Sequence, residues 1–163
     1  MSTSRKASRS KLAAARPSLR RTTGSELAQA SDPLTQAAVT PSLQEHARDL
    51  ALRAAAAGLD KKAEDVTIID VTGKVDYADY LVLMSGQSDR NVAAIARGVE
   101  EDLHAQGVRA LALEGLPLAR WVLIDFVDVV VHVFQAEWRN VYDLDSLWMD
   151  AARVPVPGAG PRS

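Results

Sequence analysis

Three side chains with acid–base or metal-binding chemistry lie close together in the second half of the chain: Asp125, Asp128 and His132, with Asp143 and Asp145 following. Two carboxylates and an imidazole could hold a divalent cation if two or three of them converged on one point. Their spacing favours a structural role. Asp125 and Asp128 flank a tight turn between two apolar runs, a place where Asp accepts hydrogen bonds from backbone N–H groups. Alternation along the second run puts His132 on one face with Val130 and Phe134, opposite Val129, Val131 and Val133. That pattern suits a half-buried, hydrogen-bonded histidine. No HExxH or His-x-His spacing supports a metal centre, so no metal and no cofactor is expected.

Two further stretches carry possible chemistry. Ser85-Gly86-Gln87-Ser88 stands between an apolar run and the start of a helix, where backbone N–H groups can hold an anion. A phosphate-binding loop needs more glycine and usually a lysine, so an ordinary strand-to-helix turn is expected. In Glu114–Trp121, Gly115 and Pro117 make a rigid loop, and Leu116 and Leu118 are apolar without an obvious core partner. Trp121 beside Arg120 is the composition of a protein-binding surface; equally, Trp121 could cap the core, and composition leaves both readings open. Tyr142, Leu144, Leu147 and Trp148 form an aromatic-apolar cluster expected to fold back as a lid. Cysteine is absent, which removes disulfides, thiolate metal sites and a cysteine nucleophile.

The elements that must position these residues follow from periodicity. Ser42 and Glu45 fit a capping box, and Ala47, Leu50, Ala51 and Ala54 make a narrow helical stripe, with Gly58 expected to end the helix in the left-handed conformation. Val66–Val71 reads as a strand. Tyr80–Met84 is a nearly continuous apolar run, as expected of a central strand buried on both faces. Ser88 can cap a second helix whose apolar face is Val92, Ile95, Ala96, Val99 and Leu103, ended by Gly107. Val108–Leu113 reads as a strand, Trp121–Phe126 and Asp128–Phe134 as a tight hairpin around Val127, and residues 137–149 as short helical turns. The expected fold is α/β: a mixed sheet with packed helices.

The chain has 163 residues, enough for one domain and some tail. The expected divisions are a disordered basic tail at 1–41, a domain at 42–152 and a flexible tail at 153–163. Residues 1–24 hold seven basic side chains and no acid, which leaves 12 of the 19 basic residues against all 21 acidic ones, a deficit of 9. Such a body is repelled by phosphate backbones, so any nucleic-acid contact, ribosomal RNA included, falls to the tail. An Arg- and Ser-rich, acid-poor start is also the composition of an organelle transit peptide. No apolar run reaches the roughly 18 residues of a membrane span, and no secretory core is present at the start.

From about Ser42 to Asp150 the chain resembles the ribosomal silencing factor, or Iojap-like, family. The resemblance rests on Asp70-Val71, on Ala78-Asp79-Tyr80 with the run into Ser85-Gly86-Gln87-Ser88, and on Ala94-Ile95-Ala96. It continues through Glu114-Gly115, Trp121–Asp125, Asp128–Phe134, Arg139, Tyr142-Asp143-Leu144 and Leu147-Trp148. Where the family carries Gly between the hairpin acids, this chain has Val127. The resemblance implies a nucleotidyltransferase-like layer architecture without an active site, and no enzymatic activity. It implies binding to the large ribosomal subunit through that subunit's protein fourteen, blocking of small-subunit joining and repression of translation, with large-subunit assembly as the alternative role. A diverged nucleotidyltransferase-like enzyme is the remaining alternative. It further implies a cytoplasmic protein of bacterial type that can form a homodimer when free. The contact surface it implies comprises Glu114, Gly115, Trp121, Val122, Asp125, Asp128, His132 and Tyr142.

Overall fold

Ser42 opens the first helix in the expected way. Its hydroxyl accepts from the Glu45 N–H at 3.1 Å while the Glu45 carboxylate accepts from the Ser42 N–H at 2.7 Å. The computed structural model describes residues 42–160; the expected N-terminal tail at 1–41 lies outside them. Helix α1 (Leu43–Asp60) buries Ala47, Leu50, Ala51 and Ala54, and these small side chains let it lie close to the sheet. It runs past Gly58, contrary to expectation. Gly58 lies inside the helix, and a Cβ there would stand 2.5 Å from Met84 Sδ, so the glycine serves close helix–sheet packing. The left-handed residue is Lys62, at φ 68°.

Strands β1 (Glu64–Asp70) and β2 (Tyr80–Gly86) follow, then helix α2 (Asp89–Ala105), capped by Ser88. Gly107, at φ 88°, closes α2 as expected: its N–H donates to the His104 carbonyl and that of Val108 to the Leu103 carbonyl, the Schellman arrangement. Next come β3 (Ala112–Glu114), β4 (Trp121–Asp125), β5 (Val129–Gln135), helices α3 (Ala136–Tyr142) and α4 (Leu144–Leu147), and β6 (Arg153–Val154). The sheet order is β3-β4-β5-β2-β1-β6. β2 and β5 are parallel and the other pairs antiparallel. β2 is buried along its whole length, as its apolar run predicts.

Two expectations are corrected. The strand expected at Val108–Leu113 is the shorter β3, because Val108 is taken up in the α2 cap. The segment expected to be loose from residue 153 begins with a strand: Ile68 pairs with Val154 and Ile69 with Arg153. The prolines that suggested looseness lie beyond this pairing, and a sheet edge tolerates them.

The sheet separates two apolar clusters. On one face α1 and α2 cover Ile68, Val82, Val122, Val131 and Val133. On the other, Ile69, Leu81, Leu83, Val130 and Phe134 pack with Trp121, Leu123, Leu144 and Trp148, under the short α3–α4 segment.

Candidate functional site

The second face is built of rows of paired residues across the strands, and paired residues share a face. One row runs Glu114, Leu123, His132, Leu83, Thr67; the next pairs Trp121, Phe134 and Ser85. Trp121 is therefore fixed by β4 beside β5 and below α3. Its indole stacks on Phe134 with centroids 5.2 Å apart and meets Tyr142 at 4.4 Å. Its Nε1–H donates to His132 Nδ1 at 2.9 Å. Trp121 is half-buried, so the two readings that composition left open both describe it: part of the ring caps the face and part reaches solvent. Along α3, α4 and the two residues after them, Val141 (69 % exposed), Tyr142 (47 %), Leu147 (64 %) and Met149 (76 %) are left unburied.

The loop before β4 seats this tryptophan. Gly115 sits at φ 108°, and a Cβ on it would clash with the Trp121 carbonyl oxygen, so only glycine lets the chain pass there. Leu116 packs against the helical-side core, correcting the expectation that it lacks a partner, whereas Leu118 remains 68 % exposed. Arg120 lies over the Trp138 ring, 5.1 Å from its centroid.

The acids and the imidazole are used for structure. The Asp125 carboxylate accepts from the Val127 N–H at 2.8 Å, as a hairpin aspartate does. Val127 takes φ 78°, and the Asp128 N–H donates across it to the Phe126 carbonyl at 3.0 Å, the i→i+2 bond of a γ-turn. The left-handed geometry that suits glycine is thus kept with a β-branched residue. The Asp128 carbonyl accepts from the N–H groups of Asp79 and Tyr80. Among the described residues no three His, Cys, Asp or Glu side chains are grouped to hold a metal. Asp125 and His132 are buried, at 1 % and 6 % exposure, and Val122 is fully buried on the helix-covered face. Val122 therefore cannot share a contact surface with Trp121. Glu114, Asp128 and Tyr142 keep accessible area.

The Ser85–Ser88 loop is likewise consumed internally. The Asn91 N–H is taken by Ser88 Oγ, and the Gln87 N–H by Asn91 Oδ1. Tyr80, buried under α1, has its phenol pushed above the ordinary 10.0, first by burial and then by the Asp70 carboxylate.

Arg139 organises the face, a role that no spacing along the chain signals. Its Nε and Nη2 donate to the two Asp145 oxygens at 3.0 Å each. Nη1 donates to the Asp65 carbonyl (2.6 Å) and Ser85 Oγ (3.0 Å), and Nη2 to Thr67 Oγ1 (3.4 Å). All five donors are used. A bulge in β1 between Glu64 and Thr67, with Asp65 at φ 49°, turns the Asp65 carbonyl toward the guanidinium. The fork ties α3 and α4 to β1 and β2, which sets Tyr142 over Trp121.

Fold and site together define an α/β interaction domain whose polar groups hold its own backbone. The chain belongs to the ribosomal silencing factor family: the family model described as "Ribosomal silencing factor during starvation" matches residues 44–162, β6 included. The family is regulatory and ribosome-associated, not enzymatic. The "Ribosomal silencing factor RsfS" of Bacillus subtilis is 46% identical over 98 residues, 60% of this chain and 83% of that protein. The mouse "Mitochondrial assembly of ribosomal large subunit protein 1" is 30% identical over 91 residues, 54% of this chain and 40% of its own. A Bacillus halodurans crystal structure superposes with a TM-score of 0.60 at 38% identity, covering 67% of this chain and 99% of that one. A Chromobacterium violaceum crystal structure gives 0.62 at 30%, covering 72% and 90%. No described helix is long and apolar enough to cross a membrane.

Proposed function

We propose that the second face, centred on Trp121 and Tyr142, docks on protein fourteen of the large ribosomal subunit and so keeps the small subunit from joining. The observation that carries this reading is half-buried Trp121 in ring contact with exposed Tyr142, with Val141, Leu147 and Met149 also exposed on the segment that carries Tyr142. Aromatic anchors of this kind dominate protein interfaces. Glu114 stands on the same side, the turn residue Asp128 keeps accessible area, and the acid excess beyond residue 24 suits a basic protein partner rather than bare RNA. Repression is then steric and stoichiometric, with Gly115, Asp125 and His132 supporting the anchor rather than touching the partner. Contact with ribosomal RNA, where it occurs, belongs to the basic stretch 1–24. A homodimer of the free protein and a cytoplasmic site of action are part of the same proposal. A role in large-subunit assembly, favoured by the name of the mouse relative, would use the same face at an earlier time.

The test is an order-of-addition assay of subunit joining. Protein added to free large subunits inhibits joining at about one copy per subunit, and protein added after joining inhibits weakly, because the site is covered. Trp121→Ala, shown to be folded by its thermal melt, should weaken large-subunit binding by on the order of 2 kcal/mol. Equal inhibition in both orders, or undiminished binding by the variant, rejects the reading.

A further inference from the structure

We propose that His132 is the positioning residue of the docking anchor: its Nδ1 fixes the Trp121 indole, and protonation of the imidazole releases the indole and weakens docking. The second half of this inference rests on the docking role proposed for Trp121; the first half stands on the geometry alone. An indole N–H can only donate. The 2.9 Å bond from Trp121 Nε1 therefore requires a lone pair on His132 Nδ1, and the neutral ring carries its proton on Nε2. In the imidazolium both nitrogens are donors. Two N–H groups would then point at each other, and the bond cannot persist.

The surroundings make that loss consequential. His132 is 6 % exposed, and the indole lies between Phe134 and Tyr142. With its acceptor lost, an indole N–H left unsatisfied among these rings is costly, which favours reorientation of the ring. The titratable and charged groups on this face are few. Glu114 lies across Leu123 in the His132 row, Asp125 lies two positions along β4 and binds the Val127 N–H, and Tyr142 covers the indole from α3. The Arg139–Asp145 pair sits beyond Ser85 and Thr67. Strand β2 offers only Leu81 and Leu83 beside the ring. Trp121 is thus held on its polar edge by one titratable acceptor.

The experiment follows the indole N–H resonance of Trp121 in the ¹⁵N-labelled full chain from pH 8 to pH 5, assigned by its absence in Trp121→Phe. In the parent protein the resonance moves in a single titration step. In His132→Asn, whose amide oxygen accepts but does not titrate, it stays fixed. Retention on purified large subunits falls roughly tenfold over the same range for the parent and clearly less for His132→Asn. A parent resonance that does not move over this range overturns release of the indole by protonation without need of any variant. So does a moving resonance accompanied by parallel loss of binding in parent and His132→Asn. If Trp121→Ala binds like the parent, it is the docking reading that fails, and the indole titration still decides whether His132 positions Trp121.

Discussion

At φ 78° the Cβ of Val127 crowds its flanking backbone, a conformation that costs a side chain about 1–2 kcal/mol. The turn is held in it by two neighbours: Asp125, which accepts the Val127 N–H, and the Asp128-to-Phe126 bond. Val127→Gly removes the crowding and adds some freedom to the unfolded chain. The expected outcome is a net gain of about 0.5–1 kcal/mol in denaturant unfolding, with large-subunit binding unchanged because Val127 lies away from the Trp121 stack. A loss of stability would mean that packing of the valine side chain outweighs the backbone strain. The departure from the family's glycine was legible in the sequence; that the chain keeps the glycine conformation was not, since the holding contacts are a carboxylate and a backbone bond. His132 shows the same division. Its face followed from alternation, but the acceptor role of Nδ1 depends on Trp121, 11 residues away on another strand.

Elements with local signals were legible and those set by distant partners were not. The Ser42 and Ser88 caps, the Gly107 stop and the buried β2 run all announce themselves within one or two turns of chain. Gly58 misled because its reason is Met84, on a neighbouring strand, and β6 was missed because a two-residue strand just before a proline-rich end carries no period. Arg139 is the largest omission. It matched a family pattern, yet nothing in its spacing told that Asp65, Thr67, Ser85 and Asp145 converge on it. Its side chain is 6% exposed and that of Asp145 20%, so the pair is substantially desolvated, and removing one partner strands the other's charge. Arg139→Met should cost on the order of 3 kcal/mol and loosen α3 and α4. Hydrogen exchange is the discriminating measurement: amides of α3 and α4 lose protection first, while those of α1 and α2 keep theirs. Uniform loss across the sheet and all helices would show that Arg139 supports the whole core rather than this segment.

At the scale of the molecule, the two faces of one sheet have different covers. α1 and α2 seal the first face with long, capped helices. The second is closed by short pieces that depend on the C-terminal end of the chain. Arg153 donates to the carbonyls of Trp148 (3.1 Å) and Asp145 (3.3 Å), Val154 pairs with Ile68, and the Asp70 N–H bonds Ala152. From the far edge of the sheet, β6 thereby anchors the segment whose other end places Tyr142 against Trp121. Chain termini are dispensable where their backbone is free and essential where it is bonded. A chain ending at Ala152 should unfold with about 2 kcal/mol less stability, from lost β6 bonds and the exposed Val154 side chain. It should also bind large subunits more weakly than this loss alone explains, because the α3–α4 cover shifts over Trp121. A chain ending at Gly160 keeps β6 and should match the parent in both measurements. If truncation at Ala152 lowers the melting temperature but leaves large-subunit binding by the folded fraction intact, the C-terminal strand stabilises the sheet without setting the docking face.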